Sequence, residues 1–175
     1  MKNFVLRIND RIYMTCIWVA GLSVLGVALI IPWGIFARYI LGTGASWPEP
    51  TAILLMLVFT FVGAAASYRA GAHMSVAVVT DRLPARQRQI VSVITQLLMA
   101  TICLFMTVWG SKLCLSTWNQ FMSAIPTLRV GITYMPIPIG GLLTLVFVLE
   151  KLLFGDQSQR RVVRFDLVEE NEGAA

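Results

Sequence analysis

Few residues in this chain could do chemistry, and where they stand matters more than how many there are. A single histidine, His73, three cysteines, Cys16, Cys103 and Cys114, and nine acidic residues are all that 175 residues offer. One imidazole is too few for bis-histidine haem ligation or for a conventional zinc site. The cysteines lie far apart, within or beside apolar runs and without CxxC or metal-like spacing, so they read as small hydrophobes. Neither a GxSxG nucleophile motif nor a glycine-rich phosphate loop occurs. What remains is one cation and one anion, Arg38 and Glu49, at the two mouths of a glycine-rich connection running from Phe36 to Pro50.

The elements on either side of that connection are apolar. The chain is 57% hydrophobic and 13% charged, with a mean hydropathy of +0.75, which places it in a bilayer rather than among soluble domains. A net charge of +5 would suggest nucleic acid in a soluble protein. Here the arginines flank apolar runs and read as topology signals instead, so no nucleic-acid partner is expected. We read an all-α membrane protein: one domain over 1–155 with four transmembrane helices at about 12–37, 50–68, 90–111 and 136–154, and an acidic, disordered cytoplasmic tail over 156–175.

Details of the runs refine this. Ile12 to Ala37 would make a helix of about 39 Å, longer than a hydrocarbon core, so it should tilt or protrude. It also far exceeds the apolar region of a cleaved signal peptide. Pro32 lies inside it, and a kink near Ala28 to Pro32 is expected. Glu49, Pro48 and Pro50 suit the start of the second helix. Its Gly63 and Ser67 form a small-xxx-small face on which another helix can pack. From Ala70 to Gln89 the chain turns polar. Val76, Val79 and Leu83 there fit either a short interfacial helix or an irregular loop. Gln96 in the third run should face another helix or the headgroups, and that helix can continue past Lys112. Pro136 and Pro138 open the fourth helix, with Gly140 and Gly141 as a close-packing face near its start.

Eleven of the fourteen Lys and Arg residues lie at the amino terminus, in the middle loop and in the tail, against three on the other side. By the positive-inside rule both termini are cytoplasmic and the Arg38 to Glu49 connection faces outward. The interiors of the spans are expected to be free of ionisable side chains, with Glu150 and Lys151 near the exit of the fourth. That argues against a proton-coupled exporter, which needs a carboxylate within a span, and against a haem or metal centre. Four apolar helices without a broken-helix pair also offer little path for a polar solute. By elimination the chain reads as a non-catalytic structural or interaction subunit, not an enzyme. The alternatives are a self-sufficient small four-helix transporter or exporter and, less favoured, an electron-transfer anchor.

Phe36, Ala37, Arg38 and Tyr39, then Ser46, Trp47, Pro48 and Glu49, then Gly63, Arg69, Gly71 and His73 follow in an order that resembles the small membrane subunit of tripartite ATP-independent periplasmic (TRAP) transporters, the DctQ-like component. Tyr134 to Gly141, with Pro136, Pro138, Gly140 and Gly141, is similar to that family's opening of the last helix. The resemblance covers roughly Ile12 to Leu153. Where the family often carries a second acidic residue after the one at Glu49, this chain has Pro50.

The resemblance implies a scaffold that holds a large sodium-driven membrane subunit in a bacterial inner membrane. A periplasmic binding protein would deliver an organic anion, often a carboxylate, and the small subunit would help form the outer docking surface. Sodium coupling would reside in the large partner, so this chain needs no cofactor or metal. Arg38 and Glu49 either pair with each other or with the partner, or simply mark the bilayer surface. Trp47 is an interfacial anchor or a docking residue, and Trp33, Trp109 and Trp118 are anchors of the same kind. His73 is an interfacial polar residue or, by the family match, a structural hydrogen-bonding group beyond Arg69. The larger subunit is expected to bury the side rich in small residues, leaving aromatic and aliphatic side chains to lipid.

Overall fold

The computed structural model describes residues 2–44, 46–71, 85–123 and 125–155. His73, the stretch read as an interfacial helix or loop, and the tail after Gly155 lie outside the described residues.

Helix α1 runs from Lys2 to Tyr39, unbroken through Pro32. At 38 residues its contour is about 57 Å, so the polar amino-terminal stretch extends the apolar run as one continuous helix. It stops where Gly42 takes a positive φ of 63°. Beyond it the backbone N–H and the hydroxyl of Thr43 both donate to the Ala37 carbonyl, at 3.1 and 3.0 Å. Two donors thus satisfy an acceptor that the helix end would leave open. Helix α2, Pro48–Arg69, starts on two prolines that give up no needed donor, and Glu49 stands in its first turn. Helix α3 spans Ala85–Ser116, continuing past Lys112.

A short antiparallel hairpin follows, β1 (Phe121–Met122) against β2 (Ile125–Arg129), with Phe121 opposite Arg129. The all-helical reading had no place for it. Pro126 bars a helix here and biases its neighbour to extended backbone, while the Arg129 guanidinium lies over the Trp118 and Phe121 rings at 5.2 and 5.9 Å. One turn of helix, α4 (Val130–Tyr134), leads into α5, Pro136–Phe154. Four helices are therefore long and apolar enough to cross a membrane.

The long helices pack in a row, α1 on α2, α2 on α5 and α5 on α3. No comparable seam joins α1 to α3 among the described residues, so the row is an open layer rather than a closed bundle. Its chemistry is inverted relative to a soluble protein. The buried residues of α1 are Leu6, Asn9, Tyr13, Cys16, Ala20, Ser23 and Ala37, and the first six alternate spacings of three and four, a heptad seam. Trp18, Leu22, Leu25, Leu29 and Trp33 on the same helix are exposed. When the surroundings are as apolar as leucine, small and polar residues are what helices gain by burying.

The closest approach is at α5. A Cβ on Gly140 would stand 2.6 Å from the Phe61 Cβ and 3.0 Å from its carbonyl atoms. One on Gly141 would stand 2.9 Å from the Thr107 hydroxyl and 3.2 Å from the Cys103 carbonyl oxygen. Two adjacent glycines thus seat α2 on one side of α5 and α3 on the other. Gly63 is looser, its added Cβ meeting Ala20 of α1 at 3.8 Å. This corrects the expectation that the small-residue side awaits a larger partner: Ala65, Ala66, Gly140 and Gly141 are buried within the chain.

Candidate functional site

At the end of the layer where α1 begins and α2 and α5 end, three ionisable side chains from three helices meet. Arg69, the last residue of α2, donates through Nε to Glu150 Oε2 at 3.0 Å and through Nη2 to Glu150 Oε1 at 2.9 Å. The same Nη2 donates to Asp10 Oδ1 of α1 at 2.7 Å. The Arg69 and Glu150 side chains are 2% and 1% exposed, and that of Asp10 is 15%. The fork of two parallel bonds to Glu150 is the geometry in which a guanidinium and a carboxylate bind most strongly.

Rings close the cluster. The Arg69 guanidinium carbon lies 5.3 Å from the Tyr13 ring centre and 5.4 Å from that of Phe147, within cation–π range. Tyr13 and Phe147 also belong to the core cluster with Cys16, Val62, Ala65 and Ala66. Arg69 Nη1 is buried with no acceptor among the described residues, so the rings supply the neighbouring electron density. Lys151, one residue on, lies with its ammonium 5.8 Å from the Tyr68 ring.

The expectation that the spans carry no ionisable side chains inside is corrected here. Glu150 is buried within α5, and α1 reaches back past Asp10, so two carboxylates and one guanidinium sit inside the helix layer. Arg69 stood among the sequence candidates, whereas Asp10 and Glu150 did not. Their signal was available: Asp10 is an acid among Lys2, Arg7 and Arg11, and Glu150 is the one acid in the last apolar run. An acid placed on the basic side of a membrane protein needs a partner.

At the opposite end of the layer, Arg38 and Glu49 are both exposed, and no ion pair joins them. Tyr39 and Trp47 are exposed beside them, 80% and 44% respectively. Pro48 is buried, and a Cβ on Gly34 would lie 3.0 Å from its Cβ. Of the remaining sequence candidates, Gly63, Gly140 and Gly141 are seam residues of α2 and α5, Pro136 is buried at the start of α5, and Ser67 is half-buried two residues before Arg69. Among the described residues no group of three or more His, Cys, Asp or Glu side chains is placed to hold a metal ion.

Known proteins give this arrangement a family. A Haemophilus influenzae protein named as a TRAP transporter small permease protein is 26% identical over 159 residues, covering 87% of this chain and 92% of that protein. Residues 27–156 match the family described as tripartite ATP-independent periplasmic transporters, DctQ component. That match spans well over half of the chain, so the chain belongs to the DctQ family of TRAP transporter small permease components, which are transporter subunits and not enzymes.

Proposed function

We propose that this chain is the scaffold subunit of a sodium-driven secondary transporter that imports organic anions, carboxylates among them, delivered by a periplasmic binding protein. It holds the large transport subunit in a bacterial inner membrane and contributes to the outer docking surface, with both termini cytoplasmic by the charge count. Sodium binds the large partner, and this chain works without a cofactor.

The observation that carries the reading is the open layer. Its charge cluster and its tightest small-residue contacts lie on internal seams, while broad apolar faces on α1 and α3 remain uncovered. The charged cluster supports a structural role too, since Arg69 ties both carboxylates and two rings cover it. A self-sufficient exporter keeps one argument, the buried Glu150. That carboxylate is held in a bidentate pair near a helix end, which is a poor position for a proton relay.

Affinity purification of the tagged chain from native membranes in mild detergent, with mass spectrometry of what stays bound, tests the reading. Recovery of a much larger polytopic protein in near-equal amount is expected. A chain recovered alone, monodisperse, and moving solute after reconstitution by itself would overturn it.

A further inference from the structure

Between the ends of α1 and α2 that carry Arg38 and Glu49 lies a groove of about 430 Å³. Its wall is apolar, with Val27, Ile31, Ile35, Ile53 and Met56 along it, and the two charges stand at its mouth. Ile35, Ile53 and Met56 are 56%, 51% and 62% exposed, so the groove opens sideways from the layer. Its floor is the seam where Gly34 meets Pro48.

We propose that this groove binds one phospholipid whose headgroup carries both a phosphate and a primary amine. The length fits: Val27 to Arg38 is about 16 Å along a helix, close to half of a hydrocarbon core. The groove therefore reaches from the headgroup level to about the bilayer midplane, the depth of one leaflet. The lining fits as well: beyond Arg38, Tyr39 and Glu49 it is apolar throughout, which suits an extended hydrocarbon chain.

The charges choose the headgroup. Arg38 and Glu49 are exposed, unlinked to each other, and of opposite sign at one mouth. Arg38 is suited to a phosphate and Glu49 to an ammonium group. A phosphate headgroup without an amine satisfies Arg38 but sets a negative charge against Glu49. Selectivity thus comes from Glu49 and affinity from Arg38. A second carboxylate beside Glu49 would weaken that balance, and the position after Glu49 is Pro50.

The full-length chain, with whatever membrane protein it retains, is reconstituted into vesicles of equal parts phosphatidylethanolamine and phosphatidylglycerol. It is then extracted in mild detergent and weighed by native mass spectrometry. One phosphatidylethanolamine per chain is expected to persist. Arg38→Gln should lower retention of both lipids at least roughly tenfold. Glu49→Gln should instead erase the preference between them. Ile53→Trp fills the groove from an exposed position and should lose the lipid while the variant still folds. Retention indifferent to all three variants would reduce the lipid to annular contact and overturn the proposal. So would a photo-crosslinker at position 53 that captures a polypeptide instead of a lipid. Because the readout is the lipid on the chain itself, it can fail without touching the scaffold reading, and the converse holds.

Discussion

Arg69 holds the chain together at a point where a mistake is expensive. It is the hub of the cluster: Glu150 accepts two of its bonds and Asp10 one. Removing one member of a buried pair strands the other in a place that water does not reach, at a cost of about 3–5 kcal/mol. The effects should therefore be ordered. Arg69→Ala takes a partner from both acids and costs most, Glu150→Ala leaves the buried guanidinium without its bidentate partner and comes next, and Asp10→Ala costs least because Asp10 accepts a single bond from Arg69 and is 15% exposed. Thermal unfolding of the detergent-solubilised variants reads the order, and an Asp10→Ala variant as unstable as Arg69→Ala would show that the hub is misassigned. The sequence placed Arg69 correctly at the end of a span. It could not supply the partners, which lie 59 and 81 residues away, since no local spacing links ends of different helices.

The helices themselves were readable because length and apolarity decide them almost alone. The seams were readable in kind but not in rank. In α1 the buried positions from Leu6 to Ser23 keep heptad spacing, a pattern hidden from any hydrophobic count because both faces are apolar and only residue size and polarity alternate. The hairpin went unseen because a two-residue strand carries no period. Among glycines, sequence marked both Gly63 and Gly140 as packing positions, and space ranks Gly140 first. Gly140→Ala forces a methyl against the Phe61 backbone and should cost about 1–3 kcal/mol as the α2–α5 seam shifts. Gly63→Ala meets Ala20 at ordinary contact distance and gains helix propensity, up to about 1 kcal/mol. Comparing the two thermal midpoints settles the rank, and equal losses would place Gly63 back among the tight contacts.

At the scale of the molecule, the open row sets an asymmetry among its members. α5 is clasped on both sides and α2 lies between α1 and α5, but α3 touches the layer along one narrow stripe through Cys103, Gly110 and Cys114. Leu97, Leu98, Ile102, Leu104, Phe105 and Trp109 around that stripe are all more than half exposed. Buried small-residue contacts are the main force between helices in a bilayer, and α3 buries the smallest share of its span. Local opening follows such deficits. In hydrogen exchange of the chain purified alone, α3 should open before α2 and α5. A large membrane partner that covers the open layer would then raise protection most in α3, because a group already held firmly has little further protection to gain. An α3 as protected as α5 in the isolated chain would mean that the row is closed by contacts of its own. Protection in α3 that stays unchanged when the large subunit is bound would move the scaffold's working face to α1.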